Sequence, residues 1–225
     1  MGAPERRMVL WTSLAAAALV VVHSVLWDVA RWDGHSFIAD NADLVGIGAA
    51  KANVFRMSLL ADAFGSYLLT VPATVGLWRL LRAERDDGIV DVLALGGLFY
   101  AVAGAVAAVV WAEGGADLIR RYAERGGSQA EAAQFATLAH SAIATWQIVC
   151  VFCAGAWWLG SGWLLRGRWT WFARYSMSFG ALSLVLGFLK AAGADFDLSA
   201  PATAVFLTLA IWIGWLGRLL SSGRR

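Results

Sequence analysis

Residues 134–168 read QFATLAHSAIATWQIVCVFCAGAWWLGSGWLLRGR, the longest apolar segment of the chain and the one that carries His140, Gln147 and both cysteines. A run this long and this poor in charge predicts a helix that crosses a membrane. At 100° per residue His140, Gln147, Val151 and Trp158 fall on one face, with the two polar side chains about 10 Å apart along the axis. One side of this helix is therefore not made for lipid.

The rest of the composition agrees. With 60% hydrophobic residues, 15% charged and 13 Trp in 225 residues, a water-soluble domain would have more apolar surface than its interior could bury. The net charge of +2 and the dispersed Lys and Arg argue against a nucleic-acid partner. Two cysteines inside one apolar helix do not make a disulfide framework. The N-terminal run MVLWTSLAAAALVVVHSVLW looks like a signal peptide at first, but it has spanning length and no convincing small-x-small cleavage site follows, so it reads as an uncleaved first helix.

Six segments have spanning character, at about 8–27, 57–80, 90–111, 136–165, 172–189 and 202–219. Alternating strand patterns are absent, which disfavours a membrane barrel and predicts an all-α bundle in one domain, residues 1–225. Arg6, Arg7, Arg79, Arg82, Arg85, Arg166, Arg168, Arg174, Arg218, Arg224 and Arg225 fall on the side of the termini. Most acids, from Asp28 and Asp33 to Asp195 and Asp197, fall on the other. The positive-inside rule then puts both termini in the cytoplasm, in keeping with an even number of spans. Of the outer segments, 28–56 has room for a short surface helix before Gly46 and Gly48. The segment 113–134 holds the amphipathic ADLIRRYAER, a Gly126-Gly127 break and the capping-box pattern Ser128-Gln-Ala-Glu131, which starts the fourth helix near Ser128. Pro72 is the one proline placed to kink a helix.

Placed by depth, His23, Asp62, Glu113, His140 and Lys190 all lie in the outer half of the bundle. Such groups cost a few kcal/mol in hydrocarbon and usually face an interior or a wet cavity. Asp62, Ser66 and Thr70 form an i, i+4, i+8 stripe that could face the His140 and Gln147 stripe. The alternative is that Asp62 and His140 only pair as interhelical glue, worth about 0.6 kcal/mol. His23, His35 and His140 lack the spacing of a metal site, and a bis-histidine haem would need His23 and His140 to face each other, so no metal is expected. Cys150-Val-Phe-Cys153 is formally a CxxC, yet it lies near mid-bilayer in an unbroken helix with no second pair, which suits packing better than redox exchange. Gly160-Ser161-Gly162 lacks the following histidine of a rhomboid-type site, and the glycines at 155, 160 and 162 suit close helix packing. Lys190, at a helix end in a six-span chain, does not suit a retinal Schiff base. Trp11, Trp27, Trp78, Trp111, Trp169, Trp171 and Trp215 fit interfacial belts, whereas Trp146, Trp157 and Trp158 are deeper.

With its His near the outer start, GAWWLGSGWLL and the turn RGRWTWFAR, the fourth helix resembles that of a group of uncharacterised bacterial six-helix membrane proteins, defined as a domain of unknown function. The likeness covers the topology of nearly the whole chain. It implies a bacterial plasma membrane and the same bundle, and it carries no activity.

The function expected is the binding of a small apolar or amphipathic molecule, such as a lipid, an isoprenoid or a quinone-like compound, in an outward-facing pocket. His23, Asp62, Tyr67, His140, Trp146 and Gln147 would line it. The rival is an accessory subunit packed against a larger membrane complex. A third reading is an acid-initiated isoprenoid cyclase, with Asp62, Glu113 or His140 as candidate catalytic groups and aromatic faces to stabilise carbocations. Membrane lipids, an apolar ligand and partner membrane subunits are the partners considered; the residues do not name a cofactor.

Overall fold

The computed structural model describes residues 1–32, 40–85, 88–194 and 202–222, and these form an all-helical bundle. Its six long helices are α1 Ala3–Arg31, α2 Ala49–Glu84, α3 Gly88–Glu124, α4 Gln129–Leu165, α5 Thr170–Ala191 and α6 Ala202–Ser222. All six are long and apolar enough to cross a membrane, as the hydropathy pattern predicts. A 3₁₀ helix, Asn41–Ile47, precedes α2. Asp40 caps it by accepting from the Ala42 amide at 2.8 Å, and Gly48, with φ +86°, makes the sharp change of direction that lets α2 begin.

Ion pairs and hydrogen bonds tie the two ends of the bundle. At the end with the termini, Arg79 meets Glu5 at 2.8 Å, the Trp78 indole donates to Asp91 at 2.8 Å, and Arg168 pairs with Glu84. At the opposite, long-loop end, Arg56 pairs with Glu113 at 2.7 Å and Arg120 donates to Asn53 at 2.7 Å. Exposed pairs of this kind contribute about 0–1 kcal/mol each, so they fix register more than they hold the bundle.

Close packing does more. The second helix of the α4–α5 hairpin approaches through Gly180, where a Cβ would lie 2.4 Å from the Leu159 amide nitrogen, and at Gly162 a Cβ would lie 2.8 Å from the Ala173 carbonyl oxygen. On α3, Gly97, Gly104 and Gly115 receive the rings of Trp157, Tyr67 and Phe55. The interior is two clusters rather than one. Tyr67, Leu77, Trp157, Trp158, Trp212 and Leu216 anchor the cluster nearer the termini. Trp27, Leu44, Phe55, Trp111, Ile119 and Phe135 anchor the cluster at the long-loop end, and Trp146 packs against both.

Four expectations need correction. α3 does not end near residue 111 but continues as one helix through ADLIRRYAE to Glu124, because Gly114 and Gly115 are covered by Leu138 and Phe55 rather than opened to solvent. α4 does start next to Ser128, as expected, but the capping box is incomplete: the Ser128 hydroxyl makes no bond to the helix backbone, and Glu131 engages Ser128 and Arg125 with its side chain. α4 is not unbroken: a π turn occupies Thr145–Cys150. The expected kink at Pro72 is spread over a π turn, Ala63–Tyr67, and a 3₁₀ turn, Leu68–Thr70, after which the α-helix restarts at Val71 with Pro72 in its first turn. Proline offers no N–H and crowds the carbonyl four residues back, Leu68, so the irregularity falls on its N-terminal side.

The α4–α5 contact gives a direct test. Gly180→Ala places a Cβ against main chain that cannot swing aside, and a loss of about 1–3 kcal/mol is expected, read as a lower Tm in detergent. Gly46→Ala, with nothing within 4 Å of the added Cβ, should leave Tm nearly unchanged.

Candidate ligand-binding site

Between the two clusters lies a cavity of about 270 Å³ to which every one of the six helices contributes. It begins beneath Arg31 and Asn41 at the long-loop end and reaches down to Tyr100, Trp158 and Phe179. His23, Asp62, Tyr67, Trp146 and Gln147, expected from sequence to share a pocket, all line it.

His23 comes from α1 and is 3% exposed. Its Nδ1 lies 2.9 Å from the Ser58 carbonyl oxygen on α2, and a carbonyl can only accept. Nδ1 therefore donates to that carbonyl, with the Ser58 hydroxyl also 3.0 Å from Nδ1. The Ser58 hydroxyl donates in return to the His23 carbonyl at 3.1 Å. Phe206 of α6 meets the imidazole edge-on, with centroids 4.4 Å apart.

Asp62 is the last regular α-helical residue of α2 before its π turn, and it is 2% exposed. The Ser66 hydroxyl donates to its Oδ1 at 2.5 Å. Among the described residues no donor reaches Oδ2 and no base forms an ion pair with the carboxyl, although His23, Tyr67 and Tyr100 are near enough to interact electrostatically with it. Thr70, the third member of the expected stripe, turns away and donates to the Tyr67 carbonyl at 2.6 Å. The change from π to 3₁₀ geometry between Ser66 and Thr70 breaks the i, i+4 alignment.

Aromatic rings make the remaining walls. Tyr67 and Tyr100 lie 5.0 Å apart, Tyr100 and Trp158 5.7 Å, and Trp158 stacks on Phe179 at 4.4 Å. On the opposite side Trp111 contacts both Trp27 and Trp146 at 5.6 Å. The Trp146 indole donates to the Gly104 carbonyl at 3.3 Å, which fixes that ring against α3. Trp27 and Trp111 are thus cavity walls, 9% and 1% exposed, and not members of an interfacial belt. By contrast Trp11 and Trp171 are 68% and 74% exposed.

Two candidates lie elsewhere. His140 sits on the exposed face of α4. The π turn between it and Gln147 admits an extra residue and rotates the N-terminal half of the helix by about one position, so straight α-helical projection misplaces it. His140 therefore pairs neither with Asp62 nor across the bundle with His23. Glu113 is exposed and held by the Arg56 guanidinium, whose Nε lies 2.9 Å from each of its carboxylate oxygens. His35 lies outside the described residues. Cys150 lines the cavity and Cys153 is half-buried, both as free thiols. Among the described residues no three His, Cys, Asp or Glu side chains group as metal donors. Arg31, Tyr100, Phe179 and Phe206 were not foreseen; a buried arginine beside Trp27, 6.0 Å from its ring, reads in sequence as one more loop cation.

The arrangement offers the Asp62 carboxylate, the His23 imidazole and the Gln147 amide in a chamber whose walls are mostly apolar and aromatic. Such a chamber can orient a molecule with a single polar end, as small-molecule sites do. Ser58→Ala, which removes the hydroxyl's bonds to His23 and keeps the one that the residue 58 carbonyl accepts, should cost about 0.6–1.7 kcal/mol in thermal melts. His140→Ala should stay within about 0.5 kcal/mol of the parent, as an exposed substitution does. Compared with protein-family profiles, with curated proteins and with solved structures, the chain matches none.

Proposed function

We propose that this is a multi-pass protein of the bacterial plasma membrane, with both termini in the cytoplasm, that holds a small apolar or amphipathic molecule in a pocket facing outward. A lipid, an isoprenoid or a quinone-like compound fits that description. The observation that carries the reading is the cavity of about 270 Å³ in which His23, Asp62 and Gln147 meet walls of Trp and Tyr. Its volume lies near the lower edge of the range for small-molecule sites. A buried carboxylate without an ion-pair partner among the described residues is costly in hydrocarbon, and a ligand that hydrogen-bonds to it offsets that cost. The arginine bias toward the ends with the termini supports the orientation, which puts the Arg31 end of the cavity outside.

A second reading shares the same residues. Asp62 beside the faces of Tyr67, Tyr100 and Trp158 has the components of an acid-initiated cyclisation site, in which the aromatic rings would stabilise a cation on the substrate. Glu113, outside the cavity and engaged with Arg56, does not serve that role. Conversion of a linear isoprenoid olefin to a cyclic product, lost in Asp62→Asn, would select this reading.

Native mass spectrometry of the protein extracted gently from a bacterial membrane tests the binding function. The parent protein is expected to carry one small apolar molecule. Asp62→Asn should weaken its retention roughly tenfold, the equivalent of about 1.4 kcal/mol. A bare chain accompanied by stoichiometric partner subunits would instead mark it as an accessory subunit.

A further inference from the structure

We propose that the ligand enters the cavity sideways from the bilayer, through a slot between α5 and α6, and that it is an amphiphile whose head is a neutral hydroxyl. Such entry presupposes that the cavity holds an amphipathic molecule at all.

The slot arises from how the two helices meet. The Tyr175 hydroxyl donates to the Thr208 carbonyl at 2.9 Å, the Trp212 indole donates to the Ser176 hydroxyl at 3.2 Å, and Phe172 packs on Trp212 and Trp215. These links all use Phe172 to Ser176, the first two turns of α5. From Met177 to Leu189, no hydrogen bond or ring contact joins α5 to α6 among the described residues. Over that length α5 follows α4 instead, with Phe188 on Phe152 at 4.8 Å and Gly187 against Val151. α6 follows α1, with Phe206 on His23. Two helix pairs therefore diverge, and the cavity reaches the surface between them. Leu182 on α5 and Val205 on α6 both line the cavity, yet they are 55% and 42% exposed. Around them Val185, Leu189 and Leu207 are exposed hydrocarbon as well. An opening rimmed by Leu and Val on the side of a membrane bundle faces acyl chains, not water.

The chemistry behind the slot selects the head group. Phe206, which separates the slot from His23, brings an entering molecule directly to the imidazole. There the cavity presents the Asp62 carboxylate, an acceptor whose Oδ1 takes the Ser66 hydroxyl and whose Oδ2 no donor reaches among the described residues. A hydroxyl satisfies an acceptor; an ether or ester does not, and a buried acceptor left unpaired weakens binding.

The test uses the full chain in phosphatidylcholine vesicles with tritiated farnesol, a prenol, as the probe. Farnesol is expected to bind at least about tenfold more tightly than its methyl ether, the effect of one lost hydrogen bond. Leu182→Trp combined with Val205→Trp fills the slot from two exposed positions. It should slow exchange of bound farnesol at least about tenfold, in uptake as well as in release, whereas a merely weakened site would release faster. Val205→Trp alone should give an intermediate rate, which guards against misfolding of the double variant. Farnesol that binds but exchanges at the parental rate in both variants would overturn the slot and leave the binding function standing. Equal binding of the ether, or displacement of farnesol by dodecylamine at lower concentration than by dodecanol, would overturn the hydroxyl head. A parent protein that binds neither farnesol nor dodecanol would overturn the cavity's ligand function itself.

Discussion

In hydrocarbon a peptide group has no water to bond with, so a spanning segment must satisfy its own backbone, and irregular backbone is tolerated only where protein or a cavity covers it. The two π turns among the described residues of this bundle obey that constraint. The π turn of α2, Ala63–Tyr67, and the π turn of α4, Thr145–Cys150, both border the same cavity. Each turns side chains inward that a regular helix would distribute around its circumference. In α2 the turn follows Asp62 and carries Ser66 and Tyr67; in α4 it carries Trp146, Gln147 and Cys150. The chamber exists because two helices widen at the same place, and the polar groups follow from that.

The six-helix architecture was legible because spanning length is a one-dimensional property: 20 apolar residues need no knowledge of a neighbour. The polar interior was legible in part for a similar reason. A histidine, an aspartate and a glutamine at bilayer depth must hide, and His23, Asp62 and Gln147 do face one cavity. Sequence failed where rotation mattered. His140 and Gln147 share a face only if seven residues turn through nearly two full α-helical turns, and the π turn between them removes that phase. Thr70 was lost from its stripe in the same way. Nothing in the string ATWQIVC announces a π turn, whereas Pro72 announced a disturbance without saying how far upstream it would reach.

Depth was the second difficulty. Trp27 and Trp111 occupy the ends of hydropathic segments, where tryptophan commonly meets the membrane interface, but both α1 and α3 continue as helices beyond those points. The ends of apolar runs are therefore not the ends of helices. A tryptophan at such a point can be covered by the extension of its neighbours, as Trp111 is by Phe55, Phe135 and Trp146. Glu113 shows the reverse: near the cavity in depth, it faces outward because Arg56 of α2 gives it a partner there.

The length of α3 has a further consequence. At 37 residues it measures about 55 Å, against about 30 Å for the hydrocarbon of a bilayer. If its apolar middle is centred in a membrane, its last turns stand clear of it, and Ile119 there is buried in the same cluster as Leu44 of the 3₁₀ helix and Phe135 of α4. With α3 so centred, this cap stands in water, where burying apolar surface drives folding, and the bundle beneath it in lipid, where close fit at Gly180 and Gly104 must do so instead. The two parts of one chain thus answer to different solvents: denaturant and salt act chiefly on the roof, and acyl-chain thickness acts chiefly on the chamber below.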